Sequence, residues 1–157
     1  MAFSLASSAF PEAGTIDKKH TCDGSDVSPP LSWKDPPPGA KSFALIVVDP
    51  DAPAGAWVHW VLYNVPGTAA SLEEGLDKQE SLPNGAKNGA SWGVNDFSRI
   101  GYQGPCPPPG KPHRYVFKLY ALDTMLSMPA KAGRFDIEKA MKEHVLAETQ
   151  LMGKYGR

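Results

Sequence analysis

The chain has 157 residues, of which 41% are hydrophobic, and its 16 basic and 17 acidic side chains give a formal net charge of −1. This length predicts a single domain, residues 1–157, whose core needs no metal or disulfide, and the charge gives no electrostatic reason to expect a nucleic-acid partner. The first residues lack the basic and apolar segments of a signal peptide, and no apolar run approaches the ~18 residues of a membrane span. We therefore expect a cytoplasmic protein without integral membrane contact.

Three segments rich in β-branched and aromatic residues predict the main strands, at residues 42–49, 57–64 and 114–122. Apolar side chains lie on both faces of the first two, which indicates strands covered on both sides, as in a mainly β, two-sheet sandwich. Residues 65–112 are predicted to be mostly loop. A loop of that length in a compact domain is usually functional.

Near the C-terminus, apolar residues recur three and four positions apart, which predicts one amphipathic helix packed on the sandwich. The predicted stripe comprises Ile137, Met141, His144, Val145, Glu148, Leu151, Met152 and Tyr155. Asp136 and Glu138 lie in the expected first turn, where negative charge suits the helix dipole, and Gly153 and Gly156 mark the expected end.

Polar side chains lie at the ends of the predicted strands, beside loops stiffened by proline: Asp49, Asp51, His59, His113 and Tyr115. This arrangement is typical of a small polar pocket if the strands are neighbours. Histidine and tyrosine would donate hydrogen bonds to an anion, whereas Asp49 would orient a histidine or bind an ammonium group. In the alternative interpretation, the two aspartates only close a turn and the histidines are packed core residues.

Strand alternation gives these side chains expected faces. His59 is predicted to share a strand face with Trp57, Val61 and Tyr63. The later strand is predicted to present His113 and Tyr115 together with the apolar residues that follow them.

Other chemistry is compatible with parts of the sequence. The run Gly-Ala-Ser-Trp-Gly at 89–93 matches the GxSxG of serine hydrolases, but turn signals flank Ser91 instead of the strand and helix that this motif needs. His59, His113 and Asp49 match a 2-His-1-carboxylate metal triad, and the two histidines could serve as acid and base. The proline run at 105–112 could bind an SH3-like domain, although its flanking glycines and the adjacent strand favour a pocket wall.

The chain has two cysteines, Cys22 and Cys106, whose spacing fits no metal or redox motif. Because the cytosol is reducing, we expect two free thiols, with a disulfide as the alternative.

Five ordered motifs resemble the phosphatidylethanolamine-binding protein family, also called Raf kinase inhibitor-like proteins, and in particular its short bacterial and archaeal branch. They are residues 21–33, the Asp-Pro-Asp-Ala-Pro run at 49–53, His59, the loop at 104–110 and the His-Arg-Tyr run at 113–115. The resemblance covers nearly the whole chain and implies that family's β-sandwich.

The resemblance also implies a small anion pocket for phosphate-bearing ligands, such as a phospholipid head group or a phosphorylated group. Its residues would be Asp49, His59, Cys106, Pro107, His113 and Tyr115, with Asp51, Trp57, Gly104 and Pro108 as further wall. It implies a non-enzymatic protein that uses no metal or cofactor, inhibits a kinase or protease, and forms a homodimer. This sequence has Cys106 where animal members usually have glycine, and it lacks their C-terminal pocket tyrosine, a role that Tyr155 is not expected to take.

Overall fold

The computed structural model describes residues 2–53, 55–91 and 99–157. In chain order its elements are β1 (Ser4–Ala6), β2 (Gly14–Thr15), a 3-10 helix (Lys18–His20), β3 (Leu31–Lys34), β4 (Ser42–Asp49), β5 (Trp57–Pro66), β6 (Ser71–Leu72), β7 (Lys87–Asn88), β8 (Ala90–Ser91), β9 (Arg99–Ile100), β10 (His113–Leu122), α1 (Arg134–Met141) and β11 (Val145–Tyr155).

A six-stranded sheet forms the centre of the fold, with the strand order β2-β11-β10-β4-β5-β7. Its neighbouring strands are antiparallel except for the short parallel pair of β2 and β11. A smaller sheet has the order β1-β3-β6, and β8 pairs with β9. Strand β4 lies between β5 and β10, so the ends of these three strands meet at one edge, as the polar pocket requires.

Both faces of the large sheet are covered. One apolar core lies between the two sheets and contains Trp33 of β3 together with Phe43, Trp60 and Phe117 of the large sheet. The opposite face packs against α1 through Ile137 and other buried residues. Burying each such side chain contributes about 1.5–3 kcal/mol. The two-sheet sandwich with a C-terminal helix is confirmed, and it explains why β4 is buried along its whole length.

The predicted length of the C-terminal helix was wrong. The helix ends at Met141, and Val145–Tyr155 forms β11, which pairs antiparallel with β10 from end to end. Within that stretch Leu151 and Gly153 are buried and alternate with more exposed neighbours, which is the period of a strand. A side chain at Gly153 would come within 2.6 Å of Ile16, so the strand packs closely there.

Membrane crossing by a helix has no support in the described part of the chain, since none of its helices is both long and apolar enough.

Candidate ligand-binding site

A cavity of about 260 Å³ lies where β4 ends and where β5 and β10 begin. Its lining residues are Asp49, Ala52, Pro53, Trp57, His59, Cys106, Pro107, Pro108, His113 and Tyr115. It is slightly smaller than pockets for drug-sized molecules, which have ~300–1,000 Å³, so it suits a ligand the size of a head group. All the site residues named from the sequence line it except Asp51 and Gly104.

Asp49 and His113 form a close pair at the cavity. The Nδ1 of His113 lies 2.7 Å from Oδ2 of Asp49, and both side chains are largely buried. The other carboxylate oxygen, Oδ1, accepts the backbone N–H of Asp51 at 2.8 Å. Asp49 therefore closes a turn and also orients His113, so the two interpretations of this residue hold together. With Nδ1 held by the carboxylate, the Nε2 of a protonated His113 is a second donor.

His59 lies in a β-bulge of β5. Val47 pairs with Trp60 and Val48 pairs with Val58, so His59 is the additional residue of the bulge between these two pairs. A bulge redirects side chains and interrupts the alternation of faces. His59 therefore packs against Tyr115, with ring centroids 5.2 Å apart.

The prediction that His59 shares a strand face with Val61 and Tyr63 was wrong because of this bulge, whereas Trp57, the third residue predicted for that face, lines the cavity together with His59. Val61 and Tyr63 belong to the core under α1, whereas His59 faces the other side with Tyr115. The prediction for β10 was correct, since Tyr115 lies with Phe117 in the core between the sheets.

Burial keeps His59 neutral. Loss of water lowers its pKa below the usual 6.5, and this outweighs the nearby carbonyl of Gln103 and the carboxylate of Asp49, which favour the proton. Its Nδ1 lies 2.6 Å from the carbonyl oxygen of Gln103 and donates to it, because a carbonyl only accepts. The Nε2 of this neutral tautomer is consequently an acceptor.

Tyr115 carries the one buried side-chain N or O atom in the described residues that has no hydrogen-bond partner. Only 1% of Tyr115 is exposed. Burial raises the pKa of its hydroxyl, and the nearby Asp49 carboxylate raises it further, so the group stays protonated as an O–H donor. Although the two groups are close, they make no hydrogen bond of good geometry. Leaving such a group unsatisfied costs about 1–3 kcal/mol, which calls for an explanation.

Asp51 and Gly104 lie beside the cavity and not in its lining. Asp51 accepts three hydrogen bonds from Arg114, from the backbone N–H and from the guanidinium, all at 2.9 Å. These bonds lower the pKa of Asp51 to about 2. Gly104 donates its N–H to Asp26 at 2.8 Å, and a side chain there would meet the His20 carbonyl at 2.2 Å.

The cysteines form a disulfide, so the expectation of two free thiols was wrong. Cys22 and Cys106 are bonded across 84 positions. Sequence spacing could not show this, because the bond depends on the fold bringing the segment around Cys22 against the loop that begins at Gly104. The cytoplasmic location stays a prediction.

The other predicted chemistries can also be compared with the geometry. Ser91 is buried in β8 and donates its hydroxyl to the carbonyl of Gly101 at 2.6 Å, while Trp92 and Gly93 of its motif lie outside the described residues. No three His, Cys, Asp or Glu side chains in the described ranges are placed to hold a metal ion. Pro107 is buried and lines the cavity, in agreement with a pocket wall.

Two groups of residues at or near the cavity were not predicted from the sequence. Ala52 and Pro53 line the cavity, and their place in the Asp-Pro-Asp-Ala-Pro run was the available signal. Arg157 lies against the disulfide, with Nη2 3.1 Å from Cys22 Sγ, and also binds Asp23. No local sequence pattern predicts this contact.

A larger depression of about 510 Å³ lies elsewhere on the surface. Glu73, Glu74 and Asp77 are among its lining residues. Three carboxylates repel an anion, so the smaller cavity is the better anion site.

Comparison with known proteins gives consistent relatives. The family model for phosphatidylethanolamine-binding protein matches residues 6–156. A UPF0098 protein of Methanothermobacter thermautotrophicus is 48% identical over 153 residues, covering 98% of both chains. One from Aquifex aeolicus is 44% identical, covering 96% of this chain and 86% of that protein.

Two crystal structures share the fold along its whole length. Escherichia coli YbcL, described as a new member of the mammalian phosphatidylethanolamine-binding protein family, is 31% identical with a TM-score of 0.90, covering 100% of this chain and 99% of that one. A homologue from Chlamydia trachomatis is 37% identical with a TM-score of 0.81, covering 99% and 98%. The sandwich, its cavity-forming strands and these matches lead to one assignment: the chain belongs to the phosphatidylethanolamine-binding protein family.

Proposed function

We propose that this protein binds small phosphate-bearing ligands, such as a phospholipid head group or a phosphorylated group, in the cavity at Tyr115. The observation that carries the proposal is the hydroxyl of Tyr115, a buried donor that lines the cavity and has no partner in the described residues. A phosphate oxygen is a strong acceptor that would satisfy it, and a hydrogen bond to a charged group contributes about 1.5–3 kcal/mol.

The neighbouring side chains have different roles in ligand binding. Asp49 fixes Nδ1 of His113 and leaves Nε2 for the ligand, where it donates to a phosphate oxygen in the charged ring and accepts a phosphate proton in the neutral ring. His59 is neutral and donates to Gln103, so we assign it the role of packing against Tyr115 and not of donating to the anion. Asp49 keeps the site from being purely cationic, which favours ligands that carry an ammonium group or a phosphate proton beside the phosphate.

Binding without catalysis is part of the proposal. Among the described serine, threonine, cysteine and lysine side chains, the cavity lining contains Cys106 alone, and its sulfur is bonded to Cys22. Ser91 does not line the cavity, and its hydroxyl is engaged by the backbone. Inhibition of a kinase or protease and homodimer formation stay predictions from the family resemblance.

Calorimetry with inorganic phosphate and with phosphoethanolamine tests the proposal. The chain offers a matched control, because His144 pairs with Asp123 at 2.8 Å on the surface much as His113 pairs with Asp49. His113→Ala should weaken binding roughly 10- to 100-fold, whereas His144→Ala should leave it unchanged.

Thermal unfolding of both variants shows whether they remain folded. Equal losses of affinity in both, or unchanged affinity in folded His113→Ala, would contradict the assignment of the site.

A further inference from the structure

The cavity wall at residues 105–112 has few backbone hydrogen bonds. Five of its eight residues are proline and have no N–H. In the described residues, its backbone bonds are the carbonyl of Pro105 with the N–H of Cys22 at 3.1 Å and the N–H of Gly110 with the carbonyl of Arg157 at 3.4 Å. The disulfide at Cys106 is therefore the covalent anchor of this wall, in addition to the burial of Pro105 and Pro107.

The segments on either side of the disulfide are held independently. Gly104 donates to Asp26 at 2.8 Å, and the hydroxyl of Tyr102 donates to the carbonyl of His20 at 2.7 Å. Breaking the disulfide would leave these contacts in place. Breaking the disulfide would instead make the wall beyond Pro105 more mobile, and this part includes the lining residues Pro107 and Pro108.

A guanidinium lies beside both sulfurs. Arg157 Nη2 is 3.1 Å from Sγ of Cys22 and 3.5 Å from Sγ of Cys106. Asp23 fixes this guanidinium with bonds of 3.1 and 2.8 Å, and Tyr155 in turn donates to Asp23 at 2.6 Å. A neighbouring arginine stabilises a thiolate, and a more stable thiolate is a better leaving group in thiol–disulfide exchange.

We propose that Cys22–Cys106 is a thiol–disulfide exchange site whose co-substrate is a dithiol, and that its reduction loosens the wall of the ligand cavity. Both cysteines are partly exposed, so a reductant has access. The effect on ligand binding rests on the proposed function, whereas the exchange itself does not.

The exchange balances in two steps. A thiolate of the dithiol attacks one sulfur of the pair, forms a mixed disulfide and expels the other sulfur as a thiolate beside Arg157. The second thiol of the reductant then displaces the bound protein sulfur and closes the oxidised reductant. Two electrons and two protons pass to the protein, which now carries Cys22 and Cys106 as thiols.

Loosening the wall should reduce affinity without removing the donors. His113 and Tyr115 lie on β10, outside the released segment, so the hydrogen bonds to phosphate stay available. The ligand must now order residues 106–112 when it binds. We expect a loss of about tenfold in affinity for inorganic phosphate.

The test uses dithiothreitol on the folded, oxidised chain. Denatured samples taken over time should rise from zero to two reactive thiols per chain, which has two cysteines. Hydrogen exchange of peptides spanning residues 104–112 should accelerate on reduction, and calorimetry should show the weaker phosphate binding. Arg157→Gln should slow the appearance of thiols roughly three- to tenfold.

The double variant Cys22→Ser/Cys106→Ser is the matched control. It should show the faster exchange and the weaker binding of the reduced chain at once, and dithiothreitol should not change it further. If dithiothreitol reduces the disulfide only in protein that was denatured before the treatment, the exchange site is overturned. Reduction that leaves hydrogen exchange at 104–112 unchanged would overturn the link to the cavity. If the oxidised chain binds no phosphate, the proposed function fails, while the thiol count and the hydrogen exchange still decide this inference.

Discussion

Replacing Tyr115 by phenylalanine should separate ligand affinity from stability. The change removes the hydroxyl alone and keeps the ring that packs against His59 at 5.2 Å. Because this hydroxyl is buried without a partner, its removal should leave the free energy of unfolding unchanged or raise it by up to about 1 kcal/mol. Phosphate affinity should fall roughly 10- to 100-fold, the equivalent of a charge-assisted hydrogen bond.

Tyr102→Phe is the reciprocal control. Its hydroxyl donates to the carbonyl of His20 at 2.7 Å, and Tyr102 does not line the cavity. Its loss should cost about 1–2 kcal/mol of unfolding free energy, or about 2–8 °C in melting temperature, with phosphate affinity unchanged. Calorimetry and thermal unfolding measure both quantities. If Tyr115→Phe is destabilised like Tyr102→Phe and binds phosphate normally, the hydroxyl of Tyr115 has a structural partner and does not bind the anion.

Three further predictions concern the fold around the site. Burial lowers the pKa of His59, so the unfolded chain binds a proton at this ring more readily than the folded chain, and the free energy of unfolding should fall as pH drops below about 6.5. Denaturant titrations should show that His59→Asn flattens this dependence of stability on pH. An unchanged pH dependence would contradict the neutral ring. Closing a loop of 84 positions should make the disulfide contribute about 4.5 kcal/mol, so Cys22→Ser/Cys106→Ser should lower the melting temperature by about 9–18 °C. A loss below about 2 °C would show that the bridge hardly constrains the unfolded chain. Purified protein should not hydrolyse a generic ester. Ser91→Ala should lower the free energy of unfolding by about 1 kcal/mol, because it removes the hydrogen bond to the carbonyl of Gly101. Ester hydrolysis that Ser91→Ala abolishes would contradict a structural role for Ser91.

The sandwich could be predicted because strand β4 combines a buried β-branched run with clear boundaries at both ends. Its predicted residues 42–49 are those observed, and apolar residues on both faces indicated cover on both sides. The position of the cavity followed from the same strands, because polar residues at the ends of neighbouring strands must meet at one sheet edge.

The remaining features depend on contacts that no local pattern contains. Residues 145–155 have helical spacing, but Ala147, Thr149 and Leu151 also alternate, and pairing with β10 along the whole strand decides between the two. The face of His59 depends on a bulge that the register of β4 creates. The disulfide depends on two loops that are distant in sequence.

A crystal structure of the oxidised protein grown in phosphate would show whether Tyr115 and His113 form an anion site. We expect an anion in the cavity, with one oxygen within hydrogen-bond distance of the hydroxyl of Tyr115 and another within reach of His113. Phosphate bound only at the exposed Lys111 and Lys154 beside the cavity, with the hydroxyl of Tyr115 still without a partner, would contradict this expectation.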